Sequence, residues 1–129
     1  MDKRLMYREL VERHLSELAS MIQRQYPASR TGVDCECVFD EQRDHFLLLK
    51  IGWSHGRRVR ATTLHVRIRR GKICVEEDMT EEGVATALLR QGVPAEDIVL
   101  GFHAPALRQF TEFAATPASA VSDAGSHVG

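Results

Sequence analysis

Asp44, His45, His65, Asp78 and His103 are the residues of this chain whose types hold metals or move protons. A metal site would need them converging at a spacing such as His-x3-His on one helix face, and no such spacing occurs. They read instead as structural histidines and carboxylates whose hydrogen bonds are met within the fold. Cys35 and Cys37 point the same way from one strand, Cys74 stands far along the chain, and the three cysteines lack metal-finger spacing. They read as packed thiols. The chain carries no paired carboxylates with a nuclease-type lysine, no glycine loop able to cradle phosphate and no nucleophilic serine setting. We therefore expect no catalytic residue, no cofactor and no metal.

Recognition chemistry is better represented. Arg57, Arg58 and Arg60, then Arg67, Arg69, Arg70 and Lys72, form the basic focus of the sequence, and a β-ribbon bearing arginines can contact a nucleic-acid backbone. Against that, 17 basic residues face 18 acidic ones, a formal charge of -1, where a dedicated DNA binder usually carries a clear basic excess. No aromatic residues are interleaved with these arginines in sequence, and Glu36, Glu76 and Glu77 are available as cross-strand partners. The hairpin residues Arg67, Arg69, Arg70 and Lys72 thus form the alternative, nucleic-acid-binding set.

Apolar residues on the second strand point to protein partners. Leu47, Leu49, Ile51 and Trp53 share one face, yet Phe46 and Leu48 on the other are apolar too. An antiparallel sheet with one wet face would not choose that pair. Phe46 and Leu48 are expected to lie on the exposed side, covered either by the segment around Phe102, Leu107, Phe110 and Phe113 or by another subunit. The stretch Gly101-Phe102-His103-Ala104-Pro105 with Arg108 gathers an aromatic ring, an imidazole and a guanidinium on a loop, where recognition tends to reside. The candidate partner-binding set is Phe46, Leu48, Trp53, Phe102, His103 and Arg108.

The elements that position these residues follow from periodicity. Tyr7, Val11, Leu15, Leu18 and Ile22 recur at steps of three and four, which predicts an amphipathic helix over 2–26 ended by Pro27. Alternation then predicts strands over 33–40, 45–53, 57–69 and 72–77. Inward parity changes along the third strand between Ala61 and Leu64, which requires an extra residue, so a bulge is predicted between Arg60 and Thr63. Arg70-Gly71 centres a two-residue hairpin that pairs Ile68 with Ile73, Arg67 with Cys74 and Val66 with Val75. A second helix is predicted over 81–91, with Thr80 as its cap and Gly92 as its stop. Ile98-Val99-Leu100 reads as either a fifth strand or an ordered loop.

The fold class expected is α+β, a four-stranded antiparallel meander with both helices on its apolar face. One domain spans 1–115, and the alanine-, serine- and glycine-rich stretch 116–129 is expected to be a flexible tail. With 43% hydrophobic and 27% charged residues the composition is that of a globular protein. Without an apolar run of ~18 to 20 residues or a secretory leader, the expected location is the cytoplasm, away from membranes.

In this order, Phe39-Asp40, Arg43-Asp44-His45, Gly52-Trp53, Arg58-Val59, His65, Gly71-Lys72-Ile73, Asp78 and Thr80-Glu81 resemble the XisI family of FdxN element excision controlling factors. The run from Asp97 to His103, followed by Pro105, Arg108, Thr111 and Phe113-Ala114, is the most specific part of that resemblance. It covers roughly residues 2 to 115. It implies a non-enzymatic accessory protein that controls programmed DNA excision in a cyanobacterial setting by binding an XisH-like partner. DNA contact is then expected to be indirect, and homo-oligomerisation stays open. The alternative is direct DNA binding through the arginine-rich hairpin. The chain departs from the family's pattern at Arg67, where an acid is usual, and at Cys74, where tryptophan is usual.

Overall fold

The computed structural model describes residues 2–103 and Phe113. The chain runs through helix α1 (Lys3–Gln25), a short helix α2 (Ala28–Thr31), strands β1 (Val33–Asp40), β2 (His45–Ser54), β3 (Arg57–Arg69) and β4 (Lys72–Asp78), helix α3 (Val84–Arg90), a 3-10 turn (Ala95–Asp97) and strand β5 (Ile98–Leu100). The sheet order is β1-β2-β3-β4-β5. The first four strands form the expected antiparallel meander, and β5 adds a fifth strand parallel to β4. A parallel partner needs a crossover connection, and α3 supplies it.

Tyr7, Val11, Leu15 and Ala19 form the buried stripe of α1. They join Phe46, Leu48, Leu64, Val66, Ile68, Ile73, Val75, Ile98 and Leu100 of the sheet, with Val84, Ala85 and Leu88 of α3, in one core. Both helices therefore cover one face, as expected. Phe46 and Leu48 do not lie on the exposed side: each is 0% exposed and sits under α1. The reason is register. A four-residue turn, Glu41 to Asp44, closes β1 on β2 with Asp40 opposite His45, so Phe39 meets Phe46 and Cys37 meets Leu48 on the inner face. Asp40 holds that turn by accepting hydrogen bonds from the backbone N–H groups of Gln42 and Arg43, both at 3.1 Å.

The predicted bulge is present at the limit of its expected window. Leu48 pairs with Leu64 and Leu49 with Thr62, so Thr63 is the extra residue. Its carbonyl accepts from Met79 N–H at 2.8 Å. A second bulge was not legible in sequence: Val66 pairs with Val75 but His65 with Glu77, leaving Glu76 extra. The β3–β4 hairpin has the predicted register, with Arg70 at φ 51° and Gly71 at φ 79°.

Helix α3 begins at Val84 rather than 81. Gly83, at φ 91°, breaks the helical path just before it. Asp78, not Thr80, serves the helix start: its carboxylate accepts from Val84 N–H at 2.7 Å and also from Thr80 N–H at 2.9 Å. Gly52 is required by a close approach, because a Cβ there would lie 2.0 Å from the carbonyl oxygen of Gly32.

Two predictions follow from this packing. Phe46→Ala should lower stability by about 3–5 kcal/mol in urea titration, as expected for an aromatic lost from a core, while leaving the oligomeric state unchanged. Gly52→Ala should destabilise although alanine is small, because backbone at Gly32 cannot yield; unchanged thermal unfolding would contradict that close contact.

Candidate interaction surface

The helices pack on the inner face; on the outer face, no element among the described residues covers β1 to β3. Strand alternation places Leu47, Leu49, Ile51 and Trp53 of β2 on this outer side, beside Val38 of β1 and Thr62, Arg60 and Arg58 of β3. Val38 is exposed, Leu47, Leu49 and Ile51 are half-buried, and Trp53 is 59% exposed. An apolar stripe thus runs up the middle of an uncovered sheet, where charged and polar residues are the rule. Acidic Asp34 and Glu36 flank it on the β1 side, opposite Ile51 and Leu49.

Trp53 is paired in register with Arg58, whose guanidinium lies 5.5 Å from the indole centroid and donates to the Gly52 carbonyl at 3.4 Å. Such a cation–π contact holds both side chains in place. Arg57 and Arg60 flank Arg58 on the same strand, and none of the three forms an ion pair among the described residues. In sequence these arginines seemed to lack an aromatic neighbour; cross-strand pairing supplies Trp53. The signal was available in the hairpin Ser54-His55-Gly56-Arg57, which folds one strand back on the other.

The alternative hairpin set is less free. Arg67 Nε donates to Glu76 at 2.9 Å, and Lys72 donates to the Glu96 carbonyl at 2.7 Å while lying 3.8 Å from Asp97. Arg69 and Arg70 remain outside any ion pair among the described residues. Cys74, across from Arg67, and Val99 beside it are both buried, so among the described residues the exposed part of the outer face lies over β1 to β3. In the loop set, Phe102 is exposed and its ring stands 4.7 Å from that of His103. Arg108, Leu107 and Phe110 lie outside the described residues, as does the stretch 116–129. Phe113 packs against the core.

The titratable residues are structural in their contacts. His45 Nδ1 and His65 Nε2 lie within hydrogen-bond distance, 2.9 Å, on the outer side. Burial, then the neighbouring His45, hold His65 below the usual imidazole range. Asp44 is buried and meets Arg4 Nε at 2.6 Å and Arg8 at 3.5 Å. No group of three or more His, Cys, Asp or Glu side chains among the described residues is arranged to hold a metal.

Two charged contacts were not anticipated. Buried Asp97 accepts from Tyr7 Oη at 2.5 Å and pairs with Lys3 at 3.0 Å, tying α1 to the start of β5. Burial acts to raise the Asp97 carboxyl, but the bonds from Tyr7 and Lys3 outweigh it and hold it below the usual range. Glu12 goes the other way: burial first, then the Glu41 carboxylate, push it up to about 7.

The helices on one face of the sheet define a small two-layer α+β protein. Residues 1–115 match the family described as XisI protein, and the chain belongs to that family. A XisI-like protein from Anabaena variabilis ATCC 29413 is 33% identical and superimposes with a TM-score of 0.77 over 86% of this chain and 97% of that one. The fdxN element excision controlling factor XisI from the same organism is 35% identical, with a TM-score of 0.72 over 89% of this chain and all (100%) of that one. No curated protein matches the sequence. No helix among the described residues is long and apolar enough to cross a membrane.

The two carboxylates predict opposite pH dependences. Glu12, raised in the fold, contributes stability that is complete below its unfolded value and is lost as pH rises toward about 7. Asp97, depressed in the fold, contributes stability above its unfolded value that is lost on acidification. Glu12→Gln should therefore flatten the decline in melting temperature between roughly pH 4.5 and 7, and Tyr7→Phe, which lets the Asp97 carboxyl rise back toward its unfolded value, should lower the melting temperature at neutral pH and make its fall on acidification shallower. A Glu12→Gln profile parallel to that of the parent would contradict the assignment.

Proposed function

We propose that this chain is a non-catalytic accessory factor that controls DNA element excision by binding an XisH-like protein through the outer face of β1 to β3. The observation that carries this reading is the uncovered stripe of Val38, Leu47, Leu49 and Ile51 ending at the Trp53–Arg58 pair. Tryptophan and arginine are the side chains most often found at the energetic centre of protein interfaces. Rigid strands present them without an ordering cost on binding. The name of the Anabaena relative, an excision controlling factor, supports the regulatory part of the reading. The loop residues Phe102 and His103 extend the candidate surface only if a partner reaches round the sheet edge.

A second reading, direct contact with nucleic acid, is favoured by Trp53 beside Arg58, with Arg60 on the same face and Arg57 next along the strand. An indole supplies a stacking surface and the guanidinium groups supply phosphate contacts. It moves the candidate nucleic-acid site from the Arg67 to Lys72 hairpin to the β2–β3 hairpin.

Co-purification with a tagged XisH-like protein separates the readings. Ile51→Asp and Trp53→Ala should each weaken the complex roughly 30-fold or more, the scale of a hot-spot loss, with circular dichroism unchanged. Retained binding in both variants would overturn the docking face. Under the second reading the Arg57, Arg58 and Arg60 triple alanine variant loses DNA retention and shows a shallower salt dependence.

A further inference from the structure

The covering of the inner face is incomplete. Beyond the end of α1, the chain turns through α2 and enters β1, leaving a cleft with a cavity volume of ≈ 450 Å³ between this corner and the ends of β1, β2 and β3. Ile22 and Tyr26 form its helical wall, Thr31 its rim, and Val33, Cys35 and Val59 its apolar floor. Its size falls within the range of small-molecule sites, about 300–1,000 Å³. Lys50 stands over the same floor, directly opposite Cys35 in the strand pairing. Its ammonium forms no ion pair among the described residues. The acidic residues of β1, Asp34, Glu36 and Asp40, all take outer-side positions, away from Lys50.

An apolar cleft with one unpaired cation at its wall selects a ligand with an apolar body and one negative charge. We propose that this cleft is a binding site for a small amphiphilic carboxylate, its chain lying against Ile22, Tyr26, Val33 and Val59 and its carboxylate paired with Lys50. Removing the hydrocarbon chain from water against these apolar side chains drives the binding. The ion pair adds selectivity for the charge, because it is shielded by apolar neighbours on one side. The site does not depend on the docking function: it lies on the opposite side of the sheet from Leu49, Ile51 and Trp53.

Isotope-labelled protein titrated with decanoate, with decanol as the uncharged probe, tests the site. Decanoate should shift the amide resonances of Ile22, Thr31, Val33, Cys35 and Val59, and bind about tenfold more tightly than decanol, the lower end of a charge-assisted contact. Lys50→Met should erase that preference while leaving the spectrum folded, and Lys50→Arg should retain it. Equal affinity for the two probes, shifts confined to the outer face, or no shifts up to millimolar decanoate would overturn the proposal. Failure here would leave XisH-like binding untouched, since that is read from co-purification of outer-face variants.

Discussion

The stripe Tyr7, Val11, Leu15 and Ala19 lies across the sheet, and that single contact decides which of two apolar faces is buried. Strand β2 offers leucines to both sides, so hydrophobicity alone gives no preference. Once α1 covers Phe46 and Leu48, the period of two forces Leu47, Leu49, Ile51 and Trp53 outward together. The surface proposed for a partner is therefore a by-product of core packing.

Polar contacts then keep the helix in that position. Asp97 gathers Tyr7, Lys3 and Lys72 from α1 and β4 at the start of β5. Asp44, in the turn between β1 and β2, holds Arg4 and Arg8 of the same helix. A buried carboxylate stripped of its partners is strongly destabilising, so these two aspartates restrict the positions α1 can take. Both anchors act near the N-terminal half of α1. Its other end is held by lighter contacts, such as the hydrogen bond from Gln23 to the Cys35 carbonyl at 3.1 Å, and it is there that the cleft beside Lys50 opens.

The two bulges distribute side chains between the layers. Thr63 lets β3 keep Leu64, Val66 and Ile68 inward while Arg58, Arg60 and Thr62 turn outward. Glu76 is freed from the ladder and meets Arg67 instead. That pairing blunts the hairpin on which a sequence reading would place nucleic acid, whereas the β2–β3 hairpin keeps Arg58 over Trp53 with Arg60 on the same face.

By itself the sequence determined the elements whose signals are local. The α1 stripe, the four strands, the Arg70-Gly71 hairpin and its register, and the need for a bulge near Thr63 all follow from spacing and turn chemistry within a few residues. The core role of Cys35 was equally legible, and the ordered motifs from Phe39 to Phe113 carried the family. Only the tertiary structure decided the rest, because each remaining feature joins residues far apart in the chain. The inner placement of Phe46 and Leu48 depended on α1, the fifth strand on a parallel partner reached through α3, and the Asp97–Tyr7 bond on residues ninety positions apart. Periodicity reports that a strand has faces; which face meets water is settled by what packs against it.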